Sequence, residues 1–267
     1  MDTTSWGPTC LVAIRSRSLT WSARRCRPWH ARFRRLCPGP VGRWWVIGGL
    51  AVVCRLSRPY RVTSDLDTVS RRGTGEAPQL QLLVASGAEV SGVSGVLVPT
   101  PAGLVQVDVL EVTDAELANL PDDPTDRLHV LSHAWAAATA TPVVIRADGM
   151  PGLTVEVAEP GPLVAMKLQS VMNRGAAKEA TDLLDIVRLS LDPAASPLVR
   201  AQLATADSQL QEDAARHARR WFQDHAERSV RVMRAIPEGR ETQLDDLHLI
   251  AELLLRALTA VPGLSDR

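Results

Sequence analysis

Residues 44–71, WWVIGGLAVVCRLSRPYRVTSDLDTVSR, constrain this chain more than any other stretch. An apolar run is broken by two adjacent glycines, Gly48 and Gly49, and sixteen residues after the second come Asp65 and Asp67, spaced i and i+2. Glycine permits a sharp corner and lets backbone approach a ligand closely. Residues 44–48 read as a strand, the glycine pair as a tight turn, and 50–57 as a short helix ending before Pro59. Residues 64–70 read as a second strand, from which both aspartates project on one side. Carboxylates held side by side repel unless cations sit between them, and hard oxygen ligands of this kind suit Mg²⁺. Taken singly, each motif is also satisfied by a turn and a capped strand end, or by part of a binding surface.

The chain has 267 residues and is 45% hydrophobic, enough for one large domain or two modest ones. Its formal charge of zero conceals an asymmetry, because residues 1–43 hold nine arginines and one acid, Asp2. Residues 1–42 show no apolar periodicity and are expected to be a basic, disordered segment. Arginine alternating with tryptophan there also suits nucleic-acid backbones and bases. The segment has no clean apolar stretch with a small-residue cleavage site, so no signal peptide is expected. The longest apolar run, Trp44 to Cys54, falls well short of the roughly 20 residues of a membrane span. Cys10, Cys26, Cys37 and Cys54 form no CxxC pair and read as reduced thiols of a cytoplasmic protein that does not engage the membrane.

From about residue 43 to 160 the pattern is that of a core domain, and 161–267 is helical. Further strands are expected at 79–85, 95–99, 104–112, 142–147 and 153–157, with a helix at 127–139. The run LVQVDVLEV sets Asp108 between Val107 and Val109, an acid interrupting an apolar pattern and a candidate third carboxylate. Helices run from about 162 to 191, and the chain after Asp192 and Pro193 is helical and polar, broken near Pro237 and Gly239.

Among thirty basic residues only Lys167 and Lys178 are lysines. An ammonium is a compact point charge suited to phosphate. On one continuous helix Lys167, Arg174, Lys178, Asp182 and Asp185 would share an arc of about 80°, yet Lys167 and Asp182 would stand roughly 22 Å apart. Asn173, Arg174 and Gly175 read as a helix end with glycine available for a left-handed cap, so a bend there is expected to fold Asp182 back toward Lys167. A solvated, ion-paired face is the alternative.

Together these residues resemble a known family. Gly-Gly, then R-x-T-S-D-x-D (Arg61 to Asp67), then a strand-borne Asp108, then K-x6-R-x3-K-x3-D-x2-D (Lys167 to Asp185) is similar to the AbiEii/MenT nucleotidyltransferases of the DNA polymerase β-like superfamily, toxins of toxin-antitoxin systems. The resemblance covers about residues 44–190. It implies an α+β fold, a nucleotidyltransferase-like mixed sheet core with flanking helices followed by a helical C-terminal region. It further implies that Gly48, Gly49, Lys167 and Arg174 bind a nucleoside triphosphate and that Asp65, Asp67 and Asp108 hold Mg²⁺, two ions in all. Asp65, Asp67, Lys167 and Asp182 would be the catalytic set, with Asp182 favoured over Asp185. The implied acceptor is the 3′ end of tRNA, with a cognate antitoxin as partner. A protein or small-molecule acceptor, and a catalytically silent binding protein, are the competing readings.

The stretch 214–236 carries six arginines against two acids and could face RNA or solvent. No GxSxG motif supports serine hydrolysis, and six scattered histidines support no zinc site. His217, His225 and His248 are expected at the surface, Trp135 and Trp221 in the core.

Overall fold

The apolar run at 44–54 is divided by its glycines into Trp45–Val46 (β3), a two-residue strand, and Gly48–Arg55 (α1), a helix buried from Gly49 onward. The structure is a computed structural model that describes residues 9–14, 17–22, 43–63, 65–100, 103–146, 152–173 and 176–260. The strands, in chain order, are β1 (Thr9–Ile14), β2 (Arg17–Ser22), β3, β4 (Leu66–Arg72), β5 (Glu89–Ser91), β6 (Gly95–Thr100), β7 (Gly103–Thr113), β8 (Thr141–Arg146) and β9 (Leu153–Val157). They form one mixed sheet in the order β2-β1-β8-β9-β3-β4-β7-β6-β5. The β3–β9 and β4–β7 pairs are parallel and every other pair is antiparallel.

The remaining helices are α2 (Gln79–Ala85), α3 (Asp114–Ala118), α4 (Pro124–Thr139), α5 (Pro160–Ser170), α6 (Ala176–Leu191), α7 (Ser196–Ala204), α8 (Ser208–Arg219), α9 (Ala226–Arg234) and α10 (Leu244–Leu258). A 3-10 turn at Val171–Asn173 follows α5, and a π-helical turn at Arg220–Asp224 follows α8. This is the expected α+β class, a mixed sheet flanked by helices and followed by a helical region. Its buried cluster runs from Val46 to Leu258, so sheet and C-terminal helices share one core. Asp123 begins α4 by accepting from the backbone N–H groups of Thr125 and Asp126, with Pro124 in the first turn, and Asp207 does the same for α8.

Four local expectations need correction. Residues 79–85 form helix α2, not a strand. A seven-residue apolar run does not separate the two by periodicity, and here Gln79 and Leu83, one turn apart, are the buried pair. The Gln79 N–H, one of the groups a helix start leaves unpaired, donates to Glu111 Oε1 at 2.7 Å. Strand β4 begins at Leu66, so Asp65 precedes it. His217 is 4% exposed because its side of α8 turns into the core, whereas His225 and His248 are exposed as expected. Within residues 1–42, expected to be without ordered elements, β1 and β2 form a hairpin that pairs with the otherwise open edge of β8.

Two tethers, one buried and one half-buried, fix the parts that matter below. At the end of α1, Arg55 Nε donates to the Ala158 carbonyl at 2.8 Å, its Nη2 donates to the Val157 carbonyl at 2.5 Å and to Thr141 Oγ1 at 2.8 Å, and it pairs with Glu159 at 3.2 Å. This fork locks α1 to the residues that launch α5. Asp192 closes the other side, accepting from the N–H and hydroxyl of Ser57 and from the N–H groups of Ala194 and Ala195. The loop from Ser57 toward Asp65 is thereby drawn against α6.

Candidate active site

The glycine corner is shaped by the protein's own charged side chains. Gly48 sits at φ +64°, the left-handed region that favours glycine, and a Cβ there would lie 1.9 Å from Asp67 Oδ2. A Cβ on Gly49 would lie 2.8 Å from Arg61 Nη2. The Gly49 N–H points to Asp67 Oδ2 at 3.4 Å, so a carboxylate rests where α1 exposes its first N–H groups. Strand β3 is held in place beside it, for the Ile47 N–H donates to the Asp67 carbonyl at 3.0 Å.

A charged pocket of about 160 Å³ opens here, lined among others by Gly49, Arg61, Asp65, Asp67, Lys167, Lys178 and Asp182. The residues come from the start of α1, the 61–67 segment, α5 and α6, four elements brought together by the tethers above. The bend after α5 returns Asp182 to Lys167, as the spacing required. Arg174 and Gly175 themselves, and Ser64, lie outside the described residues.

Lys167 is 7% exposed and is held by two carboxylates, Asp182 and, at 2.9 Å, Asp185. Burial opposes the ammonium, but the pull of Asp185 and Asp182 outweighs it and holds the Lys167 pKa above its ordinary value. Asp185 is the deeper of the two acids. It accepts from Arg61 Nε at 3.0 Å, Arg61 Nη2 at 2.7 Å and the Tyr60 hydroxyl at 2.5 Å. Burial works against its charge, yet Lys167 and Arg61 hold it below the usual carboxylate range. Tyr60 is pushed up by burial and by the neighbouring Asp185 charge, so its hydroxyl stays protonated and donates. Asp182 also accepts from the Ser170 hydroxyl at 2.9 Å, and it is Asp182 rather than Asp185 that lines the pocket.

Asp108 is in register with Asp67 across the parallel β4–β7 pair, so both side chains lie on one face of the sheet. Its Oδ1, however, accepts from Gln106 Nε2 at 2.8 Å and lies over Gly95 on the far strand, where a Cβ would meet it at 2.7 Å. Asp108 does not line the charged pocket. Among the described residues no group of three or more His, Cys, Asp or Glu is placed to hold a metal ion. Asp65 and Asp67 both line the pocket, the number of carboxylates that a Mg²⁺ completing its shell with phosphate oxygens would use.

Arg61 and Tyr60 have no expected role in the sequence, although Arg61 stands inside the R-x-T-S-D-x-D motif, and Asp185 enters there only as the alternative to Asp182. The pairing of Tyr60 and Arg61 with an acid some 125 residues later depends on the tertiary fold and has no local signature. The same holds for His129 and His133 of α4, which flank a neighbouring cavity.

No family model matches the chain, and no curated protein matches it. Among solved structures it is similar to an antigenic nucleotidyltransferase-like protein from Paracoccidioides brasiliensis, at 20% identity and a TM-score of 0.42, over 79% of this chain and 94% of that chain. A likeness this slight carries neither family nor activity from one chain to the other.

Proposed function

We propose that this protein is a Mg²⁺-dependent nucleotidyltransferase. The observation that carries the reading is the convergence of Gly49, Asp65, Asp67, Lys167, Lys178 and Asp182 on one charged pocket. Their order along the chain is the order of the AbiEii/MenT resemblance. In the reaction an acceptor hydroxyl attacks the α-phosphorus of a nucleoside triphosphate in line. A new P–O bond forms, the α–β anhydride breaks, pyrophosphate leaves and the hydroxyl proton passes to a nearby carboxylate or to solvent.

The chain's own residues supply position and charge. Lys167 is fixed by Asp182 and Asp185 and presents a permanent ammonium at the pocket wall, while Lys178 is exposed on its rim. Gly48 and Gly49 leave room for Asp67 and Arg61 beside the start of α1. Asp65 and Asp67 would hold Mg²⁺, which when bound polarises phosphate oxygens and offsets charge on the leaving group. A second ion held through Asp108 requires that carboxylate to turn from Gln106.

The acceptor we favour is the 3′ end of tRNA, with the protein acting as the toxin of a toxin-antitoxin pair. Support comes from the arginines at 216, 219, 220, 228, 231 and 234, all exposed along α8, the π-turn and α9. A catalytically silent nucleotide-binding protein is the second reading, favoured by Asp108 facing Gln106 and by Lys167 being doubly paired. Titration of wild type and Asp67→Ala with Mg²⁺ and each nucleotide decides whether binding is metal-dependent. Incubation with labelled nucleotides and cell lysate, followed by RNase or protease, then decides the acceptor. Mg²⁺-dependent binding without transfer of label would leave the silent reading standing.

A further inference from the structure

Asp67 and Lys167 face two cavities at once. Beyond the charged pocket, on the sheet side, lies a second cavity of about 230 Å³ that shares both residues and is otherwise unlike the first. Leu110, Leu163 and Met166 give it apolar walls, and the His129 ring closes one side, set against His133 at a tilt of 39° with centroids 4.0 Å apart. Gln169 and Ser170 line it too: the Gln169 amide shares one hydrogen bond with the His129 ring and keeps its other positions, and the Ser170 hydroxyl donates to Asp182 while its oxygen can still accept.

We propose that this cavity is a nucleobase subsite, seating a purine or pyrimidine whose ribose reaches Asp67 and Lys167; the inference rests on the nucleotidyltransferase reading above. A nucleobase needs flat apolar contact on its faces and hydrogen bonds at its edge. Leu163, Met166 and His129 provide the first, and Gln169 with Ser170 the second. Burial pushes the His129 imidazole below its usual range, so near neutral pH it is an uncharged aromatic surface. Met166 adds a polarizable side chain that adapts to ring shape. Phosphate makes no use of such walls, and the charged pocket offers no comparable aromatic ring. The base could belong to the donor triphosphate or to the terminal nucleoside of the acceptor, and the chemistry of the cavity is common to both.

The test uses the full-length protein and ligand-observed NMR with adenosine, guanosine, cytidine and uridine, beside calorimetric titration with Mg²⁺ and inorganic tripolyphosphate. At least one nucleoside binds wild type. His129→Ala weakens it about fivefold or more, as loss of one stacking surface requires. His129→Phe, which keeps an aromatic face, retains the affinity. Tripolyphosphate, which reads only the charged pocket, binds all three proteins equally. Displacement of the nucleoside by saturating triphosphate assigns the cavity to the donor base, and simultaneous binding assigns it to the acceptor. Failure of every nucleoside to bind, or equal binding to wild type and His129→Ala, overturns the subsite. Nucleoside binding without any binding of tripolyphosphate leaves the subsite in place and defeats the nucleotidyltransferase reading instead.

Discussion

The carboxylate of Asp67 fills the space that a side chain on residue 48 would need, with Oδ2 1.9 Å from the position of a Cβ. Gly48 is therefore demanded twice, by its backbone conformation and by its neighbour. Gly75, at φ +85° with nothing within 4 Å, is demanded only by conformation.

Replacing each by alanine separates the two demands. Both Gly48→Ala and Gly75→Ala should lose about 1–3 kcal/mol of stability to backbone strain. Only Gly48→Ala should displace Asp67 and lower Mg²⁺-dependent nucleotide binding, by at least about tenfold, a loss of roughly 1.4 kcal/mol. Equal nucleotide affinities in the two variants would show that Asp67 does not serve the ligand.

Asp185 and Asp67 should give opposite profiles. Asp185→Ala leaves Lys167 and Arg61 buried with one carboxylate fewer, which should cost about 3–5 kcal/mol in denaturant unfolding. Asp67→Asn keeps an oxygen for the Gly49 N–H and should leave stability near wild type, while nucleotide transfer falls about a hundredfold or more. A stable Asp185→Ala protein would mean that water reaches the Lys167 site.

Stability should fall in acid in two steps. Burial lowers the pKa of His217 and His129, and such groups contribute stability above their unfolded value, near 6.5, that is lost as pH falls. Asp185 is lowered by Lys167 and Arg61 against the opposing effect of burial, so its contribution is present above about 3.8 and fades below it. Lys167 has a raised pKa, so its contribution is complete below 10.5 and is lost only at still higher pH. Thermal melts of wild type and His217→Gln at pH 7 and 5.5 check the first step, and the variant should lose less over that interval.

Arg55 should prove costly despite lying outside both cavities. Arg55→Met strands the carbonyls of Val157 and Ala158 and leaves the Glu159 carboxylate with only its neutral partners Thr141 and Gln202, and about 3–5 kcal/mol should be lost. Arg55→Lys should recover only part, because an ammonium cannot reproduce the fork of the guanidinium. Nucleotide affinity measured on the lysine variant should also fall, since α5 carries Lys167.

Much of the candidate site's layout was legible because its signals are local. The glycine pair, the i, i+2 aspartates and two lysines in a chain of arginines could each be read from spacing, and the distance along a straight helix forced a bend between Lys167 and Asp182. The direction of the Asp108 side chain was not legible, because it depends on Gln106 beside it and on Gly95 across the ladder. Helix α2 was misread because a seven-residue apolar run fits either period and Glu111, a distant residue, receives its first N–H. His217 was misplaced because a polar helix still turns one side inward, and the packing partner of that side is not encoded nearby. Strands β1 and β2 gave no apolar periodicity, and it is the open edge of β8 that pairs with them.

Lys167 meets Asp182 and Asp185, two residues three apart on α6, and through them the rotation of that helix about its own axis is set. Adding or deleting one residue between the bend and residue 182 would swing both acids by about 100° and carry them off the lysine. Changes of three or four residues would bring them nearly back. The segment can thus be expected to drift in composition but to change length only by about whole turns.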